Sequence, residues 1–145
     1  MRGYLGLGSN EGDRLANLRA AREALAERLE VVGASSVYET APQGEVLDQP
    51  DFLNAVLAIE TELAPLELLD ACKAVERELG RTAGGVRHGP RPIDVDVLAL
   101  GDVRLQAERL TLPHPEVAAR RFVLEPLVEV MATLGDQRVE RVSEL

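Results

Sequence analysis

Two carboxylates, Asp94 and Asp96, stand one residue apart in "RPIDVDVLAL" (Arg91–Leu100), a stretch otherwise apolar enough for a core strand. Side chains alternate across a strand, so Ile93, Val95 and Val97 share one face and the two acids share the other. Their backbones then lie about 7 Å apart. Like charges this close repel, and without a cation one of them tends to keep its proton. A hard divalent cation removes the conflict, because Mg²⁺ takes one or two carboxylates and completes its shell with water and phosphate oxygens. A D-x-D alone is common by chance, and a solvated strand start or pairing with arginines is its bland account. The residues upstream sharpen it. "GRTAGGVRHGPRP" (Gly80–Pro92) carries Arg81, Arg87, His88 and Arg91 and no acid, in a chain whose net charge is −9. Guanidiniums match phosphate oxygens bidentately. A dication and several arginines can therefore converge on one polyphosphate, and phosphoryl chemistry of that kind needs no covalent group from the protein.

Other residues have chemistry to offer. His114 lies between two prolines, with Arg109, Thr111 and Arg120 near it in sequence, and the group reads as a second set of phosphate contacts. Phe52 and Phe122 are the two phenylalanines of a chain with two tyrosines and no tryptophan. Core packing accounts for them unless a flat conjugated substrate needs stacking surfaces. Asn54, on an otherwise apolar strand, offers a donor and an acceptor that the edge of a heterocycle can use. Cys72 is the single cysteine, which excludes an internal disulfide and a multi-cysteine metal site. It falls at a core-facing helical position, where cysteines are inert. Walker and dinucleotide motifs are missing: no G-x-x-x-x-G-K-[ST] occurs, and "GLGSNEG" spaces its glycines one residue off the dinucleotide fingerprint. Gly6 and Gly8 either serve a ligand or let another backbone approach.

These residues need a scaffold, and 145 residues suffice for one domain with a proper core, so residues 1–145 are read as a single catalytic domain. The acidic balance argues against a sequence-independent nucleic-acid binder. The apolar runs are too short to span a bilayer, and "MRGYLGLGSNEG" lacks a signal-peptide pattern, so a cytoplasmic, membrane-free protein is expected; a monomer is taken as the default.

The periodicities give an element order. "GYLGLGSN" reads as a strand ending in a loop, after which Asp13 caps a helix marked by Leu15, Leu18, Ala21, Leu25 and Leu29. Val31 to Thr40 is a second strand and Phe52 onward a third, apolar enough to be central. Pro65 opens a helix with Leu66, Leu69, Cys72, Val75 and Leu79 inward, and Gly80 stops it. Ile93 to Leu100 is the fourth strand. The order βαββαβ is that of an α+β, ferredoxin-like sandwich. Beyond it, "RLTLPHPEVAARRFVLEPLVEV" predicts a C-terminal extension with a short extended piece, a loop at Pro113-His114-Pro115 and one or two closing helices.

The motifs also resemble a family. "RHGPRPIDVDVL" looks like the signature of the 6-hydroxymethyl-7,8-dihydropterin pyrophosphokinases of folate biosynthesis. "LGLGSNEGD", "YETAP", "DQPDFLNAV", "ELGR" and "ERLTLPHP…RRFVLEPL" resemble that family in the same order, from Tyr4 to Glu129. The resemblance implies a ferredoxin-like fold and transfer of pyrophosphate from ATP to the pterin hydroxymethyl group, with AMP released. It implies two Mg²⁺ ions on Asp94 and Asp96, with Arg81 and Arg91 joining them in catalysis. Leu69, Lys73, Glu76, Arg81, Arg87, Arg91, Val97, Arg109, Thr111, His114 and Arg120 would meet ATP. Phe52 and Phe122 would sandwich the pterin, and Thr40, Ala41, Gln43 and Asn54 would meet its edge. His88 stands at a substrate-side position where relatives often have an aromatic residue, and a basic residue common in the same loop is replaced within "TAGG".

Two other readings compete. A polymerase β-type nucleotidyltransferase also pairs Gly-Ser with D-x-D, but there the two motifs are close in sequence, whereas here Gly8-Ser9 and Asp94 are far apart. A non-catalytic ferredoxin-like sensor of a small ligand would have no use for an acid pair beside an arginine loop. Fold alone does not separate these, since such sheets host many functions.

Overall fold

The computed structural model describes residues 1–40, 51–80, 92–115 and 139–145. Its elements are β1 (Arg2–Ser9), α1 (Arg14–Ala26), β2 (Glu30–Ala34), β3 (Ser36–Thr40), β4 (Phe52–Glu60), α2 (Pro65–Gly80), β5 (Asp94–Leu100), the short β6 (Leu105–Gln106) and β7 (Thr111–Leu112), and β8 (Val139–Glu144). The main sheet runs β5-β1-β4-β3-β8, with β2 also on β4, and a two-stranded ribbon joins β6 to β7. The pairings in the main sheet are antiparallel.

This is the expected ferredoxin-like arrangement, with one refinement. The single strand expected over Val31–Thr40 is two, β2 and β3, which pair with successive halves of β4. Ser35 makes the break. Its amide donates to the Val56 carbonyl at 2.8 Å, and its hydroxyl accepts from the Val56 amide and donates to the Ser36 carbonyl, each at 2.8 Å. A buried hydroxyl thus occupies backbone groups that an unbroken ladder would otherwise pair.

Both helices lie on one side of the sheet. Leu5, Leu7, Leu53, Ala55, Leu57, Ile59, Val95 and Val97 face Leu18, Ala21, Leu25, Leu68, Leu69, Cys72 and Val75 in the main core. Ile93, Val95 and Val97 are buried together, as alternation requires. Leu66 does not join them and is 40 % exposed. The inward stripe of α2 is Leu68, Leu69, Cys72 and Val75, and at 100° per residue Leu66 lies most of half a turn from Leu68. α1 is capped as expected, Asp13 accepting the Ala16 amide at 3.1 Å. The strand β8 was not expected, and the closing helices fall at residues outside those described.

Candidate functional site

The two strand pairings of β1 set the geometry. On one side Gly8 is opposite Asp94 and Gly6 opposite Asp96. On the other, Gly8 is opposite Asn54, and Asn54 in turn is opposite Tyr38 of β3. Residues directly opposite in an antiparallel pair share a face. Asp94, Gly8, Asn54 and Tyr38 therefore form one row across four strands, on the side of the sheet turned away from the helices. Phe52 and Thr40, paired with each other, continue that face towards the same end of the sheet.

Gly8 is the gap in the row. A Cβ added there would sit 3.3 Å from the Asn54 Oδ1 and 3.7 Å from a Phe52 ring carbon. The amide of Asn54 and the ring of Phe52 thus both border the space above Gly8, with Asp94 on its far side. Two strand spacings, about 10 Å, separate the Asp94 and Asn54 backbones. Of the acids, Asp94 is half-buried and Asp96 exposed.

β5 is the edge strand on this side, and an acid from the helix layer holds it. Glu76 accepts the Val95 amide at 2.8 Å, on the residue between the two aspartates. Its other oxygen meets the Lys73 ammonium at 3.0 Å. Glu76 and Lys73, expected on the ATP side, therefore lie beside the acid pair. Past β5, the His114 amide donates to the Leu98 carbonyl at 2.8 Å. The β1–β5 register shifts at Tyr4/Leu5, leaving Leu98 as the extra residue of a bulge. The bond from His114 fixes the chain just after Thr111, which is half-buried in β7. Arg109, in the turn between β6 and β7, pairs with Asp70 of α2 at 2.5 Å, both side chains being more than half exposed.

Leu69 and Val97 are buried, 6 % and 2 % exposed, within the main core. Their side chains pack in that core, one from α2 and one from β5 next to Asp96. Cys72 is likewise buried. Burial pushes its thiol up to about 12, with the nearby charges of Glu76 and Asp96 adding to the effect. It is a core residue, as expected. Among the described residues no cluster of three or more His, Cys, Asp or Glu forms a closed metal cage. Two carboxylates are what a magnesium ion shared with substrate phosphates requires, so the donor set fits the expected ion.

Ala41, Gln43, Arg81, Arg87, His88, Arg91, Arg120 and Phe122 lie outside the described residues. One residue on the site face went unread in the sequence, and a second was left undecided. Tyr38 completes the row beside Asn54 and is 6 % exposed; alternation from Thr40 would have placed it. Gly8 was left between two roles, and only the pairing on both sides of β1 shows what stands beside it.

The 7,8-dihydro-6-hydroxymethylpterin-pyrophosphokinase family model matches residues 4–132. The chain belongs to this family. Among its relatives, the 2-amino-4-hydroxy-6-hydroxymethyldihydropteridine pyrophosphokinase of Methylorubrum extorquens is 50 % identical over 135 residues, covering 92 % of this chain and 84 % of that protein. The enzyme of the same name from Haemophilus influenzae is 41 % identical over 144 residues, 98 % of this chain and 89 % of that protein. The mitochondrial folate synthesis bifunctional protein of Pisum sativum is 43 % identical, covering 91 % of this chain; the chain spans only 25 % of that longer relative. A crystal structure of Plasmodium falciparum HPPK-DHPS overlaps 72 % of this chain and 31 % of its own at a TM-score of 0.46 and 16 % identity. The ferredoxin-like fold of this pyrophosphokinase family member is read from its own strand order. With the family, the expectation of an ATP-dependent pyrophosphokinase of folate synthesis stands, and the nucleotidyltransferase and sensor readings fall.

Proposed function

We propose that the row from Asp94 to Asn54 carries transfer of pyrophosphate from ATP to 6-hydroxymethyl-7,8-dihydropterin. In this reaction the hydroxymethyl oxygen bonds to the β-phosphorus and the bond from that phosphorus to the α–β bridging oxygen breaks. AMP leaves, and the hydroxyl proton passes to solvent. Asp94 and Asp96 would hold two Mg²⁺ ions, which would supply the positive charge that offsets the phosphates during transfer. Asn54 presents an amide to the pterin edge, the Phe52 ring gives it a stacking surface, and Thr40 lies on the same face. The gap at Gly8 lets a flat ring lie against the sheet between the amide and the acids. Glu76 and His114, tied to β5 by the Val95 amide and the Leu98 carbonyl, flank the nucleotide side, with Lys73, Arg109 and Thr111 beside them. Arg81, Arg87, Arg91 and Arg120 complete the phosphate contacts, while Ala41, Gln43, His88 and Phe122 complete the pterin pocket. The whole acts as one catalytic domain, monomeric and cytoplasmic; no described helix is long and apolar enough to cross a membrane.

The observation that carries this reading is the shared row: a carboxylate, a side-chain-free gap and a heterocycle-matching amide on adjacent strands of one face. AMP should form only when ATP, Mg²⁺ and the hydroxymethylpterin are all present. Release of ADP or of free pyrophosphate in their place would remove the pyrophosphokinase assignment.

A further inference from the structure

Arg14 opens α1, where its charge has nothing to gain from the helix. Cations are favoured at helix C-termini, not N-termini. Its guanidinium turns elsewhere: Nη1 lies 2.9 Å from Glu39 Oε2 and donates to the Asp51 carbonyl at 2.7 Å. Glu39 is the penultimate residue of β3, and Asp51 immediately precedes β4. One nitrogen therefore ties the end of the strand that carries Thr40 to the start of the strand that carries Phe52 and Asn54.

The guanidinium is itself held from a firm base. Ser9 and Asn10 at the end of β1 are buried, 0 % and 1 % exposed. The Asn17 amide nitrogen donates to the Glu11 carbonyl at 2.9 Å and to the Ser9 hydroxyl at 3.3 Å. Gly12, at φ +70, makes a left-handed turn that L side chains rarely adopt, and Asp13 caps the helix. The Arg14 side chain is 29 % exposed and that of Glu39 20 %, so solvent screens the pair less than a surface ion pair.

We propose that Arg14 is a positioning residue for pterin recognition: it touches no substrate, and it sets the spacing of the β3 and β4 ends so that Phe52 and Asn54 stand correctly beside Gly8. The acids of β5 lie on the opposite side of β1, so the effect is selective for the pterin over Mg²⁺ and ATP. The inference rests on the pterin reading of Asn54 given above.

The test uses the full chain and two separate titrations, one with 6-hydroxymethyl-7,8-dihydropterin and one with Mg²⁺ and a non-hydrolysable ATP analogue. Arg14→Ala should weaken pterin binding about tenfold, the order expected when a charge-assisted contact that holds a site is lost, and leave ATP-analogue affinity unchanged. Arg14→Lys, which keeps a point charge without the planar fork, should recover part of the loss. If Arg14→Ala does not fold, Glu39→Gln carries the same test, with a smaller pterin-selective loss expected. Equal loss for both ligands, or no loss for either, overturns the proposal while Asn54→Ala still abolishes pterin binding. If Asn54→Ala also leaves pterin binding intact, the pterin reading itself fails and this inference falls with it.

Discussion

Glu76 of α2 accepts the backbone amide of Val95 at 2.8 Å, so a helix carboxylate holds the peptide between Asp94 and Asp96. An edge strand has one row of backbone groups without strand partners, and here a side chain fills a place in that row. The consequence is measurable. Glu76→Ala should lower stability by about 1–3 kcal/mol in urea unfolding, the cost of a lost charge-assisted hydrogen bond, and should lower turnover as well. Glu76→Gln retains an oxygen acceptor and should lie between Ala and the parent. Identical losses for the two variants would assign the effect to the charge that Glu76 shares with Lys73 rather than to the bond to β5.

Gly8 tests the row from its middle. An added methyl meets the Asn54 amide oxygen at 3.3 Å and Phe52 at 3.7 Å, contacts that small side-chain shifts can relieve. Gly8→Ala should therefore fold, with a stability change no larger than the about 1–3 kcal/mol typical of overpacking. Its KM for the pterin should rise by much more than its KM for ATP. A variant with both constants unchanged would show that no substrate uses the gap.

How far these residues were legible follows from the kind of information each needed. Alternation along one strand placed Asp94 and Asp96 together, because it depends only on a period of two. The helix cap at Asp13 and the opening of α2 at Pro65 were equally local. What stands across from Asp94 was not, since a register joins residues far apart in sequence: Gly8 and Asn54 acquire their meaning from β1 lying between β5 and β4. Ser35 and β8 escaped for related reasons. A serine inside an apolar run carries no mark that it will break a strand, and a short C-terminal segment has no local sign of the edge it joins. The family motifs supplied much of the rest, including ATP-side roles for Leu69 and Val97 that strand and helix periodicity alone read only as core positions.

Asp96 separates chemistry from folding most cleanly, because it is exposed on the site face. Asp96→Ala should change stability by no more than about 0.5 kcal/mol, as exposed substitutions do, while turnover falls by orders of magnitude and pterin binding survives. Chelation of Mg²⁺ should abolish AMP formation by the parent protein and be reversed by adding the ion back. An Asp96→Ala variant with the parental rate and Mg²⁺ dependence would remove the acid pair from the mechanism.

Cys72 gives a test of the core beneath the site. Its thiol, pushed up to about 12 from an ordinary 9.0 by burial and by the nearby charges of Glu76 and Asp96, stays protonated in the folded state over a range where the unfolded chain loses the proton. The folded state then binds more protons than the unfolded one between those values, so stability must fall as pH rises through that window. The contribution is intact below pH 9.0 and lost by about pH 12. Comparing parent and Cys72→Ala by urea unfolding at pH 8, 9.5 and 11 isolates it, since the variant lacks the titration while the other groups titrate in both. The difference in stability between them should shift in favour of the variant as pH rises. In the folded parent, iodoacetamide should label Cys72 slowly even at pH 9, and rapidly once urea unfolds the chain. Fast labelling without denaturant would mean that the contacts between α2 and β5 open readily, and the support that Glu76 gives the acid pair would then be transient as well.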